Sequence, residues 1–153
     1  MALHLKTTPP TLTGSPSNDY RLEEQIGFIL RLVSQRHTGI FADTIVDSLT
    51  PTRFAALSKL YEKGAMSQNK LGRQTAMDGA TIKGVVDRLR DRGLVHTRPD
   101  PGDARRHLVE LTDAGQGTAA RAIPRAMEIT EKTLASLGAK ERTVLLNLLS
   151  KLR

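Results

Sequence analysis

The chain of 153 residues contains no cysteine and no tryptophan. Without a thiol, disulfides, thiol catalysis and thiol-based sensing of oxidants are excluded. Aromatic residues make up 3% of the chain against 39% hydrophobic residues overall, so any core must be aliphatic. No apolar run approaches the ~20 residues of a membrane-spanning helix. Met1–Lys6 lacks the charged start and long apolar stretch of a secretory signal, so a cytoplasmic protein is expected. The only histidines are His4, His37, His96 and His107. None forms a close pair at ligand spacing, so neither a metal nor a cofactor is expected. There is no glycine-rich phosphate loop, no nucleophile beside a plausible base, and no paired carboxylates in an apolar setting. These gaps argue against an enzyme. Acid is scarce as well: 16 Asp and Glu face 23 Lys and Arg, for a formal net charge of +7. Such a balance favours a polyanionic partner, either nucleic acid or an anionic membrane surface.

What is present centres on Asp78 to Thr112. Asp78 is a good N-cap. Ile82, Val85, Val86 and Leu89 follow it at helical spacing, and Gly93 closes the helix. Leu94–Arg98 and His107–Leu111 alternate as strands. Between them Pro99, Pro101 and Gly102 predict a loop over 99–106, because proline and glycine interrupt a strand. Upstream, Ser67 can cap a short helix reaching Thr75. Helix, tight turn, second helix and two-stranded hairpin make a winged helix-turn-helix, a unit that reads DNA.

This stretch resembles the multiple-antibiotic-resistance-regulator (MarR) family of bacterial transcription factors. The carriers are Val86-Asp87-Arg88-Leu89, Gly93-Leu94-Val95, and Asp103-Ala104-Arg105 leading into Leu111-Thr112-Asp113-Ala114-Gly115. In looser form the pattern runs from Tyr20 to Leu152. The resemblance implies a mainly α fold with a winged helix-turn-helix and a β-hairpin wing, flanked by N- and C-terminal helices that pair two copies into a homodimer. It further implies a repressor acting on double-stranded DNA, released by a small effector such as an aromatic acid or phenol. It points to Arg105 as a minor-groove arginine, with Asp103 as its positioning partner.

The chain then divides into an extended or disordered arm over 1–17, an N-terminal helical dimerisation region over 18–49, the reading unit over 50–112, and a C-terminal helical region over 113–153. The first long helix should start near Asn18 or Asp19, bend or break near Gly39 and resume through Ile45 and Val46. Thr50-Pro51 starts the next, with Thr as cap and Pro at the first helical position. Thr112-Asp113 starts another that contains Pro124, where a kink is expected. Val144, Leu145, Leu148, Leu149 and Leu152 give the last helix a broad leucine face, suited to a second copy or to the first helix.

With its apolar stripe turned inward, the second helix of the motif offers Gly79, Ala80, Thr81 and Lys83 to base edges. Arg73, Gln74 and Arg88 are candidates for phosphate, with an ion pair as the alternative for Arg88; Arg98 and Arg106 are further phosphate candidates. Tyr20, Arg21, His37, Phe41, Arg53 and Phe54 are candidates for the effector. The phenylalanines would stack on a ring, or simply serve as core. Arg53, Arg21 or His37 would meet a carboxylate. The rival reading is a ligand-independent architectural DNA-binding protein.

Overall fold

The computed structural model describes residues 19–153, so the arm expected over 1–17 lies outside the described residues. They fall into two units, 19–33 and 34–153. In the first, a 3-10 turn at Leu22–Glu24 precedes α1 (Ile26–Thr44), most of which belongs to the second unit. The helix therefore starts later than expected. Leu22, Ile26, Ile29, Leu30, Leu32 and Val33 are all exposed.

The second unit continues with α2 (Pro51–Lys63), β1 (Met66–Ser67), α3 (Gln68–Gln74), α4 (Gly79–Asp91), β2 (Val95–Asp100), β3 (Asp103–Leu111), α5 (Asp113–Thr133) and α6 (Ala139–Ser150). Thr50, Ser67, Asp78 and Thr112 each accept a hydrogen bond from the backbone N–H three residues on, capping α2, α3, α4 and α5. The buried cluster includes Leu57 and Leu60 of α2, Leu71 of α3, Ile82, Val85, Val86 and Leu89 of α4, Val95, Val109 and Leu111 of the sheet, and Ala119 and Ala122 of α5. No aromatic is fully buried in it; Phe54 packs against its edge. Each fully buried Leu contributes about 1.5–3 kcal/mol, so the α4 stripe ties the reading helix firmly to the body.

Several expectations need correction. Gly39 does not break α1, which passes through it to Thr44. Glycine costs a helix only about 1 kcal/mol. Ile45 and Val46 are not helical; they lead into Asp47 and Ser48, both in the left-handed region at φ 57° and 49°. The sheet has three strands, in the order β1-β3-β2, where two were expected. The wing strands are also longer than predicted, with Pro99 inside β2 and Asp103–Arg106 inside β3. β2 is an edge strand, and an edge tolerates proline because one row of its N–H groups has no ladder partner to lose. The helix expected to contain Pro124 is α5, Asp113–Thr133, continuous through the proline.

One close approach fixes how the wing meets α5. A Cβ on Gly115 would lie 1.9 Å from the Leu94 carbonyl oxygen, so only glycine fits. The same junction is sewn by Thr112, whose hydroxyl donates to Gly93 O at 2.6 Å and whose N–H donates to Leu94 O at 3.1 Å.

Candidate nucleic-acid interface and effector cavity

On α4 the apolar stripe is buried and Gly79, Ala80, Thr81 and Lys83 are exposed in the first turns. The Asp78 carboxyl is held below its usual range chiefly by the backbone N–H of Thr81, so it stays ionised at the helix start. α3 packs hard against α4. A Cβ on Gly72 would stand 3.0 Å from Met77 O and 3.1 Å from Ile82 Cγ2. The intervening turn carries Ala76 at φ 53°.

Charge pairing sorts the cations. Lys83 Nζ lies 2.9 Å from Asp87, which also accepts from Arg90 at 3.1 Å. The Asp87 carboxyl is accordingly lowered, first by Lys83. Arg98 Nε donates to Glu110 at 2.6 Å across the hairpin. That bond lowers the Glu110 carboxyl and raises the Arg98 guanidinium. Arg92 donates to the Asp47 carbonyl at 2.6 Å, and Arg121 pairs with the Asp47 carboxylate at 2.9 Å. Among the described residues of the second unit, Lys70, Arg73, Arg88, Arg105 and Arg106 have side chains with neither an acidic nor a carbonyl partner, and all lie on α3, α4 or β3. Outside those elements, among the described residues of the same unit, only Arg53, Lys140, Lys151 and Arg153 share that condition.

Arg73 of α3 and Arg106 of β3 line one open cleft of about 440 Å³, together with Ser67, Gln68, Asn69 and His107. All its lining side chains are polar or cationic, a setting for an anionic oxygen. At the wing tip, the Asp103 carboxylate accepts the backbone N–H of Arg105 at 3.0 Å. It orders the backbone that carries the guanidinium rather than gripping the guanidinium itself.

A second hollow, about 240 Å³, lies among α1, α2 and α5. It is lined by His37, Phe41, Pro51, Phe54, Ala126, Ile129 and Thr130. Phe41 and Phe54 meet edge to face with ring centroids 6.2 Å apart. His37 Nδ1 is 2.9 Å from Thr133 Oγ1.

The profile of the MarR family matches residues 49–107. The HTH-type transcriptional repressor NicR of Pseudomonas putida is 43% identical over 148 residues, covering 96% of this chain and 94% of its own. The chain belongs to the MarR family. It is therefore a transcriptional regulator with a winged helix-turn-helix, and not an enzyme. Among solved structures, a probable transcriptional regulator from Pseudomonas aeruginosa superposes with a TM-score of 0.85 at 50% identity, covering 87% of this chain and 100% of that one. BpsR of Bordetella bronchiseptica, described by the regulation of its DNA binding by 6-hydroxynicotinic acid, superposes at 0.83 with 40% identity over 87% of this chain and 96% of its own.

Against this MarR framework the sequence-derived candidates separate. His37, Phe41 and Phe54 come together in the cavity; Arg53 is not part of its lining. Tyr20 and Arg21 belong to the 19–33 unit, where Arg21 pairs loosely with Glu24 at 4.0 Å. Among the described residues Arg88 has no ion-pair partner, whereas Arg98 is tied to Glu110. Gln74 is exposed at the end of α3, off the cleft. Sequence reasoning missed Gln68, Asn69 and His107 in the cleft, and Ala126, Ile129 and Thr130 in the cavity. The last three stand at i, i+3 and i+4 on α5. That spacing marks a shared face but cannot tell a cavity wall from ordinary core. Among the described residues, no helix is long and apolar enough to cross a membrane.

Proposed function

We propose that this MarR-family regulator is a homodimeric repressor that acts on bacterial nucleoid DNA in the cytoplasm. It would bind a pseudo-palindromic operator with half-site centres ~34–36 Å apart, and let go when a small aromatic acid or phenol fills the cavity. Residues 50–112 read the DNA; 18–49 and 113–153 pair the subunits. Gly79, Ala80, Thr81 and Lys83 meet base edges in the major groove. Arg73, Gln74, Arg88 and Arg106 grip phosphates. Arg105 enters the minor groove, where the negative potential is concentrated.

The observation that carries this reading is the distribution of unpaired cations. Intramolecular acids and carbonyls occupy most basic side chains elsewhere, yet leave Lys70, Arg73, Arg88, Arg105 and Arg106 open on the helix pair and wing. A surface that keeps its positive charge unspent is suited to phosphate. Pairing of subunits is supported by the exposed Val144, Leu148, Leu149 and Leu152 at the C-terminal end. The effector role of the cavity is supported by its apolar walls and by BpsR, whose DNA binding is described as regulated by 6-hydroxynicotinic acid.

Fluorescence anisotropy on DNA flanking the protein's own gene tests the reading. Affinity should fall ~10³-fold or more between 50 and 200 mM salt, with random duplex competing poorly. Arg105→Ala should sharply weaken operator binding with unchanged thermal unfolding. Equal competition by random duplex would instead identify an architectural protein. Adding 6-hydroxynicotinic acid should weaken operator binding by ~5–150-fold, the range of a typical coupling between sites.

A further inference from the structure

Resting on the reading of the α1–α2–α5 hollow as the effector site, we propose that its polar groups are hydrogen-bond acceptors. It therefore selects a single aromatic ring that carries a donor, a hydroxyl or ring N–H, directed at His37.

The argument starts from one hydroxyl. Thr133 Oγ1 lies 2.9 Å from His37 Nδ1 and 2.8 Å from the Ile129 carbonyl oxygen. A threonine hydroxyl has one proton to give, and a carbonyl can only accept. If that proton went to Nδ1, two oxygens would face each other at 2.8 Å with nothing between them. The proton therefore sits on the Ile129 side, and Nδ1–H donates to Thr133. A neutral imidazole that donates through Nδ1 carries a bare lone pair on Nε2. Nε2 has no partner among the described residues. Thr130, the other polar side chain of the wall, spends its proton on Ala126 O at 3.2 Å, which leaves its oxygen only lone pairs to offer. The remaining walls are hydrocarbon, including Phe41 and Phe54, and among the described residues no lysine or arginine lines the hollow. At about 240 Å³ it is smaller than the ~300–1,000 Å³ typical of sites for drug-sized ligands, a size for one substituted ring. A carboxylate oxygen aimed at Nε2 would set acceptor against acceptor. A phenolic O–H would complete the chain from ligand to His37 to Thr133 to Ile129.

Calorimetry on the full chain tests this with 3- and 4-hydroxybenzoate against benzoate and the matching methoxybenzoates, which keep the oxygen and lose the donor. At least one hydroxybenzoate should bind ~10-fold or more tighter than both its controls, since a site built around a hydroxyl rejects analogues that lack it. ¹⁵N NMR of the ligand-free protein should give His37 a protonated Nδ1 and a pyridine-like Nε2. In Thr133→Val, a near-isosteric change, the Nδ1–H preference and the hydroxyl discrimination should both decline. Methoxybenzoates binding as well as hydroxybenzoates, or a pyridine-like Nδ1, would overturn the proposal while leaving the effector site standing. Uptake of a proton on binding, seen as heats that vary with buffer, would put an imidazolium on the carboxylate and overturn it equally. Failure of every probe to bind would remove the effector reading along with it.

Discussion

Gly115 and Gly39 are the same residue type with opposite consequences. A methyl on Gly115 would collide with the Leu94 carbonyl at 1.9 Å, and backbone cannot swing aside as a flexible side chain can. Gly115→Ala should cost about 3 kcal/mol or more, at or beyond the upper end for overpacking, and lower the urea midpoint accordingly. Gly39 lies inside α1 with nothing within 4 Å of its would-be Cβ. Gly39→Ala should raise stability by about 0.4–1 kcal/mol in the same titration, because alanine has less unfolded-state entropy to lose. The sequence marked Gly39 as the weak point and gave no warning about Gly115. A helical penalty is local and can be read from composition, whereas a collision needs the partner backbone in place.

At the scale of the element, the wing shows how a charge is withdrawn from use. Arg98 and Glu110 lie diagonally across adjacent strands, Arg98 opposite Leu108 and Glu110 opposite His96, and their bond holds the Glu110 carboxyl below its usual range. A carboxyl lowered in the folded state stabilises at pH above its unfolded value, and the contribution is lost as the pH falls through the lowered folded value. Glu110→Gln should therefore unfold more readily than the natural chain at pH 7. Its disadvantage should shrink as the pH drops below 4.5, the ordinary glutamate value, which urea midpoints at pH 7, 5 and 3 would reveal. The pairing also ranks the wing arginines. Arg106→Ala should weaken operator binding and flatten its salt dependence more than Arg98→Ala, since Arg106 faces the open cleft with Arg73 while Arg98 is already engaged. Both arginines looked equivalent in the sequence, on either side of a proline-rich tip. Proline ends a central strand, so the sequence around Pro99 predicts a strand end; only the order β1-β3-β2 places it at an edge.

For the whole molecule, the proposed dimer rests on the exposed apolar residues at the C-terminal end. Val144, Leu148 and Leu152 are each more than half exposed, an arrangement a lone subunit would leave wetted. Burying such a face in a second copy is the economical solution. Val144→Glu with Leu148→Glu should shift the protein from dimer to monomer in sedimentation velocity. Operator affinity should fall by orders of magnitude, because each half-site would then be bound alone. A double variant that stayed dimeric would direct attention to other exposed apolar residues.

The sequence by itself determined the helices of the reading unit, their caps, the buried stripe of α4, an aliphatic core and the excess of positive charge. Those features depend on residues three or four apart, or on sums over the chain, so packing had little left to choose. The tertiary structure alone decided which cations remain unpaired and which hydroxyl His37 meets. The partners that settle those questions are 12 residues away for Arg98, 74 for Arg121 and 96 for His37. No periodicity spans such distances; the groups meet only because burial of the core brings their helices and strands together.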